Sequence, residues 1–251
     1  MRVLVTGVAN GIGAATAAAL RDAGAQIIGV DVVEGDCRRL DLSDMSAIDA
    51  FRFDGRFDAL VNAAGLPPRE GDEARVLTVN YHGLRRFTER VIPTMSNGGS
   101  IVSMASKAGS KWRENLDQVR RFQATGPGEV DTFVSAENID AVRSYDLSKE
   151  ALIVWTKVQT PRLAALGLRA NTVSPAAVET RILDDFMTAF GERAVRGMAL
   201  AGRAGTADEI AAVAAFLAKP ESGWMKGANL VVDGGLDAQL ECMRLGIPAA
   251  D

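Results

Sequence analysis

The sequence predicts an α/β fold: one domain built on a doubly wound, mostly parallel sheet. Three observations carry this expectation. Short β-branched runs alternate with helical patterns, a glycine-rich turn joins the first strand to an alanine-rich helix, and no linker or charge block divides the 251 residues.

Arg2-Val3-Leu4-Val5 is a short apolar run ended by Thr6-Gly7, Gly11 to about Ala23 reads as helix, and Gln26 to Val30 is again β-branched. That is a βαβ unit. Further strands are expected at Ala59-Leu60-Val61, Ser100 to Ser103, Leu168 to Val173 and Asn229 to Val232, with helical patterns between most of them. In such sheets ligand crevices lie outside the carboxyl ends of the strands. The stretch from Ser110 to Ser144 is less regular and more polar, and Gly126-Pro127-Gly128 breaks it between two possible helices. Trp112, Leu116, Val119 and Phe122 recur at helical intervals, which predicts one buried face. This insertion is expected to shape the mouth of a substrate site.

Composition narrows the function. A formal net charge of -4 with both signs interspersed argues against a nucleic-acid partner. The apolar runs are too short for a membrane span or a signal peptide, so no membrane partner and a cytoplasmic location are expected. Cys37 and Cys242 lie far apart and read as free thiols. With His82 as the single histidine, paired-histidine metal sites are excluded, no metal is expected, and a Ser/His/Asp hydrolase has little support. His82 itself reads as a packing or helix-surface residue. Proton transfer must then fall to Tyr, Ser, Lys or carboxylates.

Thr6-Gly7-Val8-Ala9-Asn10-Gly11-Ile12-Gly13 follows the first strand and opens the first helix, where backbone amides and the positive helix end can face a pyrophosphate. Glycines suit this turn because a β-carbon blocks either the turn itself or close phosphate approach. Asp31 ends the second strand, 18 residues after Gly13, near the spacing at which a carboxylate binds the adenosine ribose hydroxyls. A carboxylate there repels a 2'-phosphate, which favours NAD over NADP, although Arg38 and Arg39 lie close by.

Tyr145 and Lys149 stand four apart in Ser144-Tyr145-Asp146-Leu147-Ser148-Lys149, and so share one face of a helix. An ammonium near a phenol favours phenolate and draws a tyrosine of pKa about 10 towards general acid/base work. A surface helix pair is the competing reading of this spacing.

Taken together, these motifs resemble those of the short-chain dehydrogenase/reductase family across nearly the whole chain. The resemblance implies a Rossmann-like sheet of about seven strands, with nicotinamide and substrate over its carboxyl ends. It assigns Asp41 and Leu42 to adenine contact and Asn62-Ala63-Ala64-Gly65 to the turn that lines the cofactor. Asn80 shapes a helix and supports a water leading towards Lys149, and Ser106 binds the substrate oxygen, with Ser103 and Ser110 as alternatives. In Asn171-Thr172-Val173-Ser174-Pro175-Ala176 the family's usual glycine after Pro175 is replaced by Ala176. Val178 and Thr180 still fall where the nicotinamide carboxamide is held, while Asp233-Gly234-Gly235 is read as structural.

The implied reaction is NAD-dependent interconversion of a secondary alcohol and a ketone, with Tyr145 as general acid/base, Lys149 lowering its pKa and Ser106 positioning the oxygen. Ser106 and Tyr145 are 39 residues apart, and this insertion together with the Asp233 to Ala238 ending looks most like bacterial 3α-hydroxysteroid dehydrogenase/carbonyl reductases. The substrate is therefore expected to be apolar or cyclic, with Trp112, Phe186 and Met187 supplying the pocket. Polyol, sugar or aromatic-diol oxidation and non-catalytic NAD sensing are the alternatives. Helices flanking the insertion commonly form a four-helix subunit contact in the family, so an insertion there favours a homodimer over a tetramer.

Overall fold

The computed structural model describes residues 1–248. Its strands are β1 (Arg2–Thr6), β2 (Gln26–Asp31), β3 (Arg38–Arg39), β4 (Phe57–Asn62), β5 (Met95–Met104), β6 (Arg169–Pro175), β7 (Val178–Glu179), β8 (Gly205–Thr206) and β9 (Asn229–Val232). The helices are α1 (Gly11–Asp22), α2 (Met45–Ala50), α3 (Glu73–Leu77), α4 (Leu84–Val91), α5 (Leu116–Ala124), α6 (Val130–Ala136), α7 (Ala141–Ala165), α8 (Leu183–Phe190), α9 (Glu192–Ala201), α10 (Ala207–Ala218) and α11 (Leu236–Leu245).

Seven strands form one sheet in the order β3-β2-β1-β4-β5-β6-β9, and every pairing in it is parallel. The order reverses between β1 and β4, and the crevice at such a switch point is where this architecture receives ligands. Side chains alternate across the pleat. Leu4, Leu60 and Ile101 enter one core, whereas Val3, Val5, Ala59, Val61 and Val102 enter the other, against α1 and α10. Burial on both faces explains why these strands read as continuous apolar runs.

The insertion does two things. Only its first part, from Ser110 to Glu114, lines the central cleft. Helices α5 and α6 instead pack Val119, Phe122, Val130 and Phe133 against Leu77, Tyr81, Leu147 and Ala151 of α3, α7 and the turn between α3 and α4. The helical spacing of Val119 and Phe122 therefore marks a buried face, directed at neighbouring helices more than at a substrate mouth. A buried Glu150 on α7 fastens the two parts, accepting from Asn115 at 2.6 Å and from Arg143 at 2.6 Å.

Candidate active site

The β1–α1 turn is tight enough to require its glycines. A β-carbon on Gly13 would stand 2.0 Å from the Gly7 carbonyl oxygen, and one on Gly7 would stand 2.6 Å from the Ala64 nitrogen. Gly7 and Gly11 also have φ of 70° and 56°, in the region that side chains disfavour. Asn10 occupies the N-cap of α1 in extended conformation but makes no capping bond, and the first turn carries no acid. Together with the open glycine turn, this helix end fits the pyrophosphate of a dinucleotide. Asp31 reaches the same turn, accepting from the Ala9 amide at 3.0 Å.

Thr6 is a positioning residue that motif reading did not single out. Its buried hydroxyl accepts from the amides of Ala63 and Ala64, both at 3.2 Å, and so fixes the Asn62–Gly65 turn beside the glycine turn. Ala63 and Gly65 line the cleft. Asn62 and Leu42 turn their side chains inward. Asn62 donates to Thr88 at 2.9 Å and Ser103 at 3.1 Å, and Leu42 packs in the core with its carbonyl against Gly83. Any part these two take in cofactor binding falls to their backbone. Asp41 is held in a local turn, accepting from the amide and hydroxyl of Ser43 at 2.8 Å each.

Asn80 lies within one π-helical turn, Thr78–Gly83, that interrupts the run from α3 into α4. Such turns open the backbone ladder at functional sites. Its fully buried amide accepts from the Leu66 nitrogen at 2.7 Å and donates to the Leu66 oxygen at 3.0 Å and to Ser148 at 3.3 Å. A β-carbon on Gly65 would stand 3.1 Å from Asn80 Oδ1 and 3.6 Å from Lys149 Nζ, so glycine lets these three approach.

Ser106, Tyr145 and Lys149 meet at the end of β5. Ser106 caps a 3₁₀ turn over Lys107–Arg113 by accepting from the Ala108 amide at 3.1 Å, and its hydroxyl adjoins the Tyr145 phenol. Ser103 is buried and already accepts from Asn62, whereas Ser110 is exposed on the 3₁₀ turn. Ser106 is thus the serine that the fold brings to the tyrosine. Lys149 is 4 % exposed, donates to the Met104 carbonyl at 3.0 Å and lies 5.4 Å from the centre of the Tyr145 ring.

The electrostatics differ from the expectation drawn from spacing. Burial pushes the Tyr145 phenol up, with Ser106 drawing it down and Asp146 adding to the rise. Burial lowers Lys149 to about 8. In the protein alone, desolvation outweighs the attraction between ammonium and phenolate and favours the neutral forms of both. The helical spacing gives the juxtaposition correctly but not the depth of the site.

These groups open into a cleft of about 1190 Å³ that Ile12, Pro175, Val178 and Thr180 also line. Thr180 comes to the glycine turn, since a β-carbon on Gly11 would lie 3.4 Å from its methyl, and its hydroxyl points back to the Val178 carbonyl at 3.4 Å. Ala176 is accommodated without strain: its φ is not positive, and β7–β8 pairing with the Gly205 to Ala177 bond of 2.9 Å holds the turn. Over the phenol, Phe186 and Phe190 of α8 stand 5.0 Å and 6.1 Å from the Tyr145 ring, near perpendicular to it. Phe190 escaped motif reading, although its position one turn after Phe186 is the signal for it. Trp112 and Met187 line the same cleft. His82 is a packing residue, buried between Tyr81 and Phe122, and burial holds it down at about 4 with Arg85 adding to the effect.

A family profile described as Enoyl-(Acyl carrier protein) reductase matches residues 129–237. The chain is 37% identical to a coniferyl-alcohol dehydrogenase of Pseudomonas sp. (strain HR199), covering 94% of this chain and 96% of the other. It is 29% identical to a 3-alpha-hydroxysteroid dehydrogenase/carbonyl reductase of Comamonas testosteroni, covering 94% and 96%. The structure is similar to that of the 3-alpha-hydroxysteroid dehydrogenase from Pseudomonas sp. B-0831 complexed with NADH, with TM-score 0.85, 28% identity and coverage of 96% and 99%. Fold, site and comparisons together define an oxidoreductase that binds a nicotinamide dinucleotide. The chain belongs to the short-chain dehydrogenase/reductase family.

Proposed function

We propose that the protein interconverts an alcohol and its carbonyl compound with NAD, on a largely apolar, ring-bearing substrate. The observation that carries this reading is the meeting of Ser106, Tyr145 and Lys149 in one cleft beneath the rings of Phe186 and Phe190. NAD, when bound, supplies the acceptor or donor of hydride. Ser106 donates a hydrogen bond to the reacting oxygen and orients it, while one of its two lone pairs accepts from the Ala108 amide. Tyr145 removes the alcohol proton during oxidation and returns it during reduction. Lys149 in its charged form favours phenolate, and Asn80 keeps Leu66 and the π turn in place beside it.

Asp31 at the glycine turn supports NAD over NADP. Arg38 is spent on Asp54 at 3.7 Å and on the Phe51 ring at 4.1 Å, and Arg39 pairs with Glu34 at 3.4 Å. Both arginines thus already have partners, and this adds to the preference that the Asp31 carboxylate sets. Similarity to a coniferyl-alcohol dehydrogenase supports a second substrate reading, an aryl-bearing primary alcohol that would lay its ring along Phe186 and Phe190.

The same packing supports a homodimer over a tetramer, because α5 and α6 cover the face of α7 that carries Leu147 and Ala151. Light scattering that shows a dimer supports this, and a stable tetramer contradicts it. The test of function is nicotinamide absorbance with NAD and NADP, each against steroids, cyclic alcohols, polyols and aromatic carbinols. Turnover with ring-bearing alcohols and NAD is expected. Tight NAD binding with no turnover across the panel would favour a sensor instead.

A further inference from the structure

Asp146 follows Tyr145 directly on α7 and is 14 % exposed at its side chain. One carboxylate oxygen, Oδ1, is buried without a hydrogen-bond partner among the described residues. The other accepts from Arg193 Nη1 at 2.8 Å. Arg193 belongs to α9, and its guanidinium also lies over the Phe190 ring, 4.6 Å from the centroid. Phe190 in turn faces Tyr145. One arginine therefore ties α9, the aromatic wall on α8 and the residue next to the phenol into one contact.

We infer that Arg193 is a positioning residue for proton transfer: it neutralises the Asp146 carboxylate beside Tyr145, so the phenol serves as a base only when α9 is seated. The inference rests on Tyr145 being the acid/base proposed above. Asp146 and Tyr145 leave α7 in different directions, but Tyr145 is buried and Asp146 mostly so, and a carboxylate one residue away opposes phenolate through an interior of low dielectric. A cation on that carboxylate cancels most of the opposition.

The other charged groups around this point are already committed. Arg143 binds Glu150 at 2.6 Å and Gln118 at 2.8 Å, and Glu150 also accepts from Asn115. Lys149 faces Tyr145 and donates to Met104. From α8 the phenol is faced by Phe186 and Phe190, which carry no charge, and from the end of β5 by the neutral Ser106. Among the described residues Arg193 is the only cation paired with Asp146. Burial and the Glu150 charge raise the Asp146 carboxyl, while Arg193 and Arg143 lower it, and Asp146 itself adds to the rise of the Tyr145 phenol.

The experiment is the pH dependence of kcat for alcohol oxidation from pH 6 to 10.5 with saturating NAD and substrate, in Arg193→Met, Arg193→Lys, Asp146→Asn and the double variant Arg193→Met/Asp146→Asn. In Arg193→Met the acid limb is expected to move up by about one pH unit, a tenfold loss near neutrality that vanishes at the alkaline end. Arg193→Lys restores most of the shift. With Asp146→Asn already in place, adding Arg193→Met moves the limb no further. An unmoved limb in Arg193→Met, an equal loss at every pH, or a shift that survives in the double variant each overturns the inference. Tyr145→Phe keeps the two readings apart. Full turnover in that variant refutes Tyr145 as acid/base, whereas loss of turnover there with an unmoved limb in Arg193→Met refutes only the role of Arg193.

Discussion

Lys149 Nζ donates to the Met104 carbonyl at 3.0 Å and stands 5.4 Å from the centre of the Tyr145 ring. The lysine is thus anchored to the end of β5 rather than to the phenol. Its charge is held in a buried place where, among the described residues, one carbonyl bond relieves it, and this has a measurable consequence for stability.

Burial puts Lys149 at about 8 in the folded chain, below the ordinary 10.5. Between those values the unfolded chain binds more protons, so stability rises with pH through this window and the cost of burial is fully present below it. Lys149→Met is expected to stabilise the cofactor-free protein at pH 7 by up to about 3 kcal/mol while abolishing turnover. Urea unfolding at pH 7 and at pH 10.5 checks this. The gain over wild type should fade at the higher pH, where the lysine is neutral in the folded chain and about half neutral in the unfolded one.

His82 gives the acid counterpart. Burial places it at about 4 against an ordinary 6.5, so its contribution is present above pH 6.5 and is lost as pH falls towards 4. His82→Leu is expected to remove up to about 3 kcal/mol of acid destabilisation across that window. Unfolding free energies at pH 7 and pH 4.5 should differ less in the variant than in wild type. Equal pH sensitivity in both would show that other groups govern acid unfolding.

Gly13→Ala places a methyl 2.0 Å from the Gly7 oxygen, a backbone atom that cannot step aside without opening the β1–α1 turn. Loss of NAD binding by calorimetry and a drop of more than about 2 kcal/mol in stability are expected. Gly128→Ala is the control, since its added methyl would meet no atom within 4 Å and its φ is not positive.

Asp31→Ser removes the carboxylate that sits at the Ala9 amide. The NAD KM is expected to rise on the order of tenfold and the NADP KM to fall, because a 2'-phosphate no longer meets a negative charge. An unchanged ratio of kcat/KM for the two cofactors would place the discrimination elsewhere.

Much of this was legible in the sequence, for identifiable reasons. Val3 to Val5, Leu60 and Val61, and Ile101 and Val102 lie in strands buried on both faces, so continuous apolar runs announced them. Gly7 and Gly13 were legible because close backbone approach admits no side chain there, and Gly11 because its positive φ disfavours one. The pair Tyr145 and Lys149 was legible because four residues make one helical turn. β3, β7 and β8 were missed because each is only two residues long, too short for an alternating pattern. The destination of α5 and α6 was missed because periodicity reports that a face is buried but not against what. Depth was missed as well: spacing predicted that Lys149 would lower the Tyr145 phenol, and desolvation, a property of everything packed around the pair, has the larger effect. Asp146 and Arg193 are 47 residues apart, and only the return of α9 to α7 brings them together.

The central claim is that Tyr145 carries the proton, and Tyr145→Phe tests it with the ring, its packing on Phe186 and the fold retained. NAD affinity by calorimetry and alcohol oxidation at the nicotinamide band are measured on the same preparation. Affinity within a few-fold of wild type is expected, with turnover lower by on the order of 10³-fold. Turnover comparable to wild type would contradict the account.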